Sequence, residues 1–213
     1  MSGMRRFGLL CGPLGALVLW CGIAGLAQFV PGYDSIRQTV SEIGEMDSPM
    51  RTPFAVMLFA VAILGLIFAW AVYDVAKEMG RSRLAVYFIA FIAVPLIGIG
   101  VCAFPHPLHN AFGLPETVSY FAPIVLAFTW RRAPGASTVV TFSWVMSAAV
   151  WLVLFANLSA IFRPEPLWHD VIRPYYGLVQ RALFVSWFAW AGVLGLLLLG
   201  KNDAEPIPVA TKS

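Results

Sequence analysis

Three histidines are all that this chain has, and each lies at the edge of an apolar stretch: His106 and His109 in "FPHPLHN", and His169 beside Asp170 in "WHD". Three imidazoles with a carboxylate nearby could hold zinc and activate a water. That inventory would suit a metal-dependent hydrolase acting on a lipid. The H-x-x-H spacing encloses a proline, however, which leaves the ligand geometry open. Unliganded imidazoles at a membrane interface are the plainer reading. Haem is a poorer match still, because bis-histidine haem sites place their ligands inside facing helices.

A second chemical feature is Arg181 in "PYYGLVQRALF", within the last apolar stretch. An arginine at that depth is costly unless it pairs or snorkels to water. Tyr176, Gln180 and Glu116 give it polar company, so the expectation is an internal ion pair joining the last span to the fourth. Glu42 and Glu45 are the other candidate partners. Such an arginine could also hold an anionic ligand group.

A third is the polar segment "PGYDSIRQTVSEIGEMDSPMRTP". At 100° per residue Asp34, Arg37, Ser41 and Glu45 fall within about 80° of each other, with Ile36, Val40 and Ile43 opposite. The pattern predicts a short amphipathic helix at the membrane surface. Its polar face either meets water, the default for a charged surface helix, or caps the protein and lines a cavity.

The elements that position these residues follow from composition. Of 213 residues 60% are hydrophobic and 12% charged, with a mean hydropathy of +0.79. Soluble domains carry roughly 25% charged residues, so this chain uses lipid as solvent. Six apolar stretches run over Phe7–Val30, Pro53–Ala76, Leu84–Phe104, Glu116–Trp130, Val139–Phe162 and Pro174–Leu199. The fourth is short and extends into the preceding "NAFGLP". The first is too long for a signal-peptide core of about 7–15 residues and is read as a retained helix. Nucleic-acid binding is excluded, since the net charge is only +3 and the basic residues are scattered. Cys11, Cys21 and Cys102 form no C-x-x-C pair and read as small buried residues.

Charge sets the orientation. Arg5, Arg6, Lys77, Arg81, Arg83, Arg131, Arg132, Lys201 and Lys212 fall on one side, and Arg37, Arg51, Arg163 and Arg173 on the other. The positive-inside rule then puts both termini in the cytoplasm, with the protein integral to the plasma (inner) membrane. The outer connectors hold nearly all the reactive side chains, Glu165 among them. Pro95 and Pro123 interrupt spans three and four, as in small transporters. No acid or base stands at mid-depth to couple an ion. The tryptophans are expected near the interfaces. The sequon at Asn157 lies inside a span and is set aside.

Three segments carry a family resemblance: "YDSIRQTVSEIGE" after span one, "GVCAFPHPLHN" ending span three, and "GLVQRALFVSWFAWAGVLGLLL" in span six. Over roughly Phe7 to Leu199 the chain resembles the bacterial and archaeal membrane proteins grouped as domain of unknown function 998. Its better motifs are S-E-[IL] and G-x-x-Q-R. It carries "FPHPLHN" where that family is expected to have an aspartate after F-P. The resemblance implies the fold and says almost nothing of function.

The expected architecture is an all-α, polytopic six-transmembrane-helix bundle with a short amphipathic surface helix between helices 1 and 2. It forms one domain over residues 1–200, followed by a flexible polar cytoplasmic tail, 201–213. The expected role is binding, without catalysis, of a lipid headgroup, small amphiphile or membrane partner in an outer-facing polar vestibule built from Arg181, Gln180, Tyr176, Glu116, Ser41, Arg37 and Glu45. Membrane lipids are the expected partners, with a homo-oligomer or a second membrane protein beside them. No cofactor is expected. The rival is the lipid hydrolase with zinc on His106, His109 and His169, and a small transporter comes third.

Overall fold

The computed structural model describes residues 2–133, 135–162 and 166–204, excepting the side chains of 162, 166–168 and 201–204. Six helical spans are long and apolar enough to cross a bilayer among the described residues. Span one is α1 (Gly3–Ala27) and span two is α2 (Arg51–Glu78). Span three is broken into α3 (Leu84–Phe91) and α4 (Ala93–Val101), because Pro95 cannot donate to the Phe91 carbonyl four residues back. The fourth span starts before Glu116, as its apolar extension predicts. It comprises α5 (His109–Gly113), a 3-10 helix (Leu114–Phe121) and α6 (Ala122–Trp130). Span five is α7 (Ser137–Phe162); α8 (Pro166–Ile172) and a 3-10 turn lead into α9 (Tyr176–Ala204), the sixth. Arg163, Glu165 and the tail beyond Ala204 lie outside the described residues.

The spans form a ring in chain order. α1 packs on α2, α2 on α3 and α4, α3 on α6, α6 on α7, α7 on α9, and α9 returns to α1. An even number of alternating spans puts both chain ends on one face, here called proximal; the other face is distal. The ring closes at a seam of small residues. A Cβ on Gly12 would lie 2.9 Å from the Ala191 carbonyl oxygen, and one on Gly192 3.2 Å from Pro13 Cα. Pro13 has no N–H for the Leu9 carbonyl, and a Cβ on Gly195 would run into that oxygen. Lipid gives helices little hydrophobic reason to associate, so such close backbone approach is what joins them.

Three tryptophans belong to the core. Trp130, Trp187 and Trp190 are at most 2% exposed, and each indole N–H has an internal acceptor. Trp187 donates to the Ser119 carbonyl oxygen (2.8 Å), Trp190 to Ser143 Oγ (3.0 Å) and Trp130 to the Ser82 carbonyl oxygen (2.9 Å). Ser119 is the residue whose carbonyl Pro123 cannot serve, so the kink in span four is filled by an indole rather than by a ligand. On the proximal face Arg5 is bonded to Asp74 (2.7 Å) and Glu78, tying the start of α1 to the end of α2.

Candidate functional site

The polar segment between spans one and two folds as a turn over 35–37 followed by a five-residue 3-10 helix, Val40–Gly44, rather than as a continuous α-helix. The Glu42 carboxylate stops the longer helix. It accepts from the Thr39 N–H (2.9 Å), the Thr39 hydroxyl (2.8 Å) and Gln38 Nε2 (2.8 Å), starting a new helix at Val40. The predicted polar face is therefore divided. Asp34 pairs with Arg37 (3.7 Å) at the surface, Ser41 turns inward, and Glu45 lines neither cavity described below. Val40 and Ile43 are buried while Ile36 is half exposed.

Arg181 holds this segment down. Its Nη1 donates to the carbonyl oxygens of Ser35 (2.8 Å), Gln38 (3.1 Å) and Gly177 (2.9 Å), and its Nη2 to the Tyr33 hydroxyl. Tyr33 in turn donates to the Thr39 carbonyl oxygen (2.6 Å), Gln180 Oε1 accepts from the Val40 N–H (2.6 Å), and the Leu178 N–H reaches the Ile36 carbonyl oxygen (3.1 Å). The expected ion pair with Glu116, Glu42 or Glu45 is thus replaced. The first turn of α9 lies so close to the 33–39 backbone that three carbonyls engage Nη1 and the Tyr33 hydroxyl meets Nη2. Burial pushes the Tyr33 phenol above the usual tyrosine value of about 10, with Arg181 only partly opposing it. Its neutral form is favoured on folding. The resulting stability is present in full below pH ~10 and declines as pH rises through the higher folded value. Thermal unfolding followed from pH 8 to 11 should show this decline, and Tyr33→Phe should flatten it.

Behind the clamp lies a cavity of about 550 Å³ in the distal half of the ring. It is lined by groups from eight helical elements and the loops beside them. Ser41, Gln180, Tyr176, Glu116, His109 and His169 all face it. Arg181 and His106 do not, and Arg37 borders a separate depression with His169 and Asp170. Ile99, Leu114, Leu154, Leu158 and Phe184 supply an apolar wall.

Two lining side chains are buried with a polar atom that has no hydrogen-bond partner, although the Glu116 carboxylate also meets the buried Tyr120 hydroxyl. Glu116 and Asn157 are each 6% exposed, and Glu116 Oε1 and Asn157 Nδ2 have no bond. Lone buried polar atoms cost roughly 1–3 kcal/mol each, and structures retain few of them. Asn157 was invisible in the sequence because its only distinctive context, the sequon, pointed to a surface it cannot reach.

The three histidines of the rival zinc reading each meet different neighbours. Among the described residues no group of three His, Cys, Asp or Glu side chains is arranged to hold a metal ion. His106 Nδ1 accepts from the Leu108 N–H (3.2 Å), and His169 Nδ1 lies 3.3 Å from the Ser159 carbonyl oxygen. His109 is different. Its Nδ1 stands 2.7 Å from the Cys102 carbonyl oxygen and its Nε2 3.1 Å from Ser41 Oγ. A carbonyl can only accept, so Nδ1 carries the proton and Nε2 presents its lone pair to the serine.

The three segments singled out in the sequence thus meet at one place: Ser41 and Glu42 from the first, His109 from the second, and Gly177, Gln180 and Arg181 from the third. No curated protein and no solved structure matches the chain. A family model does, over residues 13–197, and it describes a protein of unknown function. With spans, segments and that match in agreement, the chain belongs to the DUF998 family of integral membrane proteins.

Proposed function

We propose that this protein binds the polar end of a lipid or single-chain amphiphile in the distal cavity. The distal face is outward in this reading, which the excess of basic residues on the proximal connectors supports. The observation that carries the proposal is that two residues lining one cavity, Glu116 and Asn157, each hold a buried polar atom without a partner, Oε1 and Nδ2. One carboxyl oxygen and a carboxamide N–H without partners call for a headgroup that both donates and accepts. The cavity volume lies within the range of about 300–1,000 Å³ typical of ligand sites, and its apolar wall suits the first part of an acyl chain. Arg181 is not counted among the ligand groups in this reading, since its Nη1 is engaged by internal carbonyls and it does not line the cavity.

The test uses an ether-linked lysophosphatidylethanolamine, whose ammonium can donate to Glu116 and whose phosphate can accept from Asn157. Native mass spectrometry of the protein in mild detergent should show one bound copy. Asn157→Leu and Glu116→Leu should each weaken binding tenfold or more. Asn157→Leu should also raise thermal stability, by about 1–3 kcal/mol, because it removes a buried polar atom that lacks a partner. Glu116→Leu brings no such gain, since it strands the buried Tyr120 hydroxyl. Variants that bind as before, or an Asn157→Leu protein that unfolds more readily, would end the proposal.

A further inference from the structure

Ser41 and His109 have no part in holding a headgroup, yet their arrangement is specific. The serine hydroxyl lies within hydrogen-bond reach of Nε2, and the opposite ring nitrogen is tied to a backbone carbonyl that sets the tautomer. Nucleophile, base and orienting group in this order are the working parts of a serine acyl-transfer site. Both side chains line the cavity. His109 is 6% exposed and packs edge-on against Phe104, 5.8 Å between ring centroids, so the base is fixed in place and shielded. A hydroxyl meant only to staple two segments would serve as well away from a cavity.

We infer that Ser41 and His109 form a nucleophile–base pair that cleaves a carboxylic ester of an amphiphile bound in this cavity. The inference rests on the binding reading above. Ser41 Oγ adds to the ester carbonyl carbon while its proton passes to His109 Nε2. The oxyanion so formed needs a donor. Asn157, a residue lining the same cavity, carries two N–H groups on an Nδ2 that has no partner of its own, one for the phosphate and one for this oxygen. The intermediate collapses by breaking the bond to the alcohol oxygen, which takes the proton from Nε2 and leaves an acyl group on Ser41. Water then adds to that acyl carbon, losing its proton to His109. Collapse breaks the bond to Oγ, releases the carboxylic acid and returns the proton to the serine. One ester and one water give one acid and one alcohol.

The experiment treats the purified full chain in detergent with an alkyl fluorophosphonate and maps the adduct by mass spectrometry. Binding of the ether-linked lysophosphatidylethanolamine and the melting temperature are measured on the same samples. The expected result is one adduct, on Ser41, absent in Ser41→Ala and formed about 100-fold or more slowly in His109→Gln. Ser41→Ala leaves the buried His109 Nε2 without its partner, so its melting temperature should fall, and the missing adduct is read on protein that remains folded and binds the ether lipid. Protein that binds the ether lipid but gains no adduct would overturn the dyad and leave the binding reading standing. Protein that does neither would overturn both. An adduct on another residue, or labelling indifferent to His109, would also overturn the dyad.

Discussion

Gly177→Ala should destabilise the protein by about 3 kcal/mol, although the same change in an ordinary helix gains roughly 0.5–1 kcal/mol. The reversal of sign is the informative part. A Cβ at this position would lie 2.8 Å from the Ser35 carbonyl oxygen and would run into that of Gln38. Both oxygens accept from Arg181, so moving them to admit a methyl group also lengthens charge-assisted hydrogen bonds, each contributing about 1.5–3 kcal/mol. Neither side can yield easily, since α9 is held by its own helix and the 33–39 segment by Tyr33, Gln180 and the Glu42 cap. Thermal unfolding in detergent gives the magnitude. Tryptic cleavage after the exposed Arg37 should speed up in parallel, reporting that the segment has lifted. An alanine variant as stable as the parent would mean that the segment follows the helix passively.

Gly195→Leu should have a still larger effect, preventing the ring from closing. Here the obstacle is a backbone carbonyl, that of Leu9, with Pro13 Cδ 3.3 Å away and the Phe68 ring beside it. Gly12 stands on the facing helix, where even one carbon would press against Ala191 and Phe68. Gly195→Ala is expected to cost about 1–3 kcal/mol, the usual penalty for overpacking. A leucine cannot fit while α1 and α9 remain in contact. Size-exclusion chromatography should show aggregated protein in place of a single species, and Gly12→Leu should do the same. Normal elution of either variant would show that the seam tolerates separation.

The spans were legible because about 20 apolar residues in a row have few other uses, and Pro95 and Pro123 announced where two of them break. The surface segment was legible only in part. Its 100° periodicity was present, but Glu42 reaches back to Thr39 and begins a tighter helix, and that shifts every side chain after it. Arg181 was correctly recognised as needing partners, yet those partners were mostly unreadable, since carbonyl oxygens belong to every residue and leave no mark in a sequence. Likewise the Asp74 and Glu78 carboxylates that meet Arg5 sit in a helix whose composition reads only as apolar. The pairing of Ser41 with His109 reaches across all of spans two and three, so spacing along the chain carries no trace of it. The crowding of reactive residues on one face is visible in the sequence, whereas which of them meet is decided by the fold.

Because the ring is sealed by its first and last members, the order of synthesis has a consequence. A nascent chain that has inserted five helices still shows the glycine-rich side of α1 to lipid or to whatever escorts it. The segment after α1 then has neither Gln180 nor Arg181 to fasten it, and the cavity has no wall from α9. Assembly of the distal end is therefore postponed until the last helix leaves the ribosome and slots between α7 and α1. A ribosome-stalled intermediate ending before Tyr176 should expose Arg37 to protease and regain protection only upon release of the full-length polypeptide.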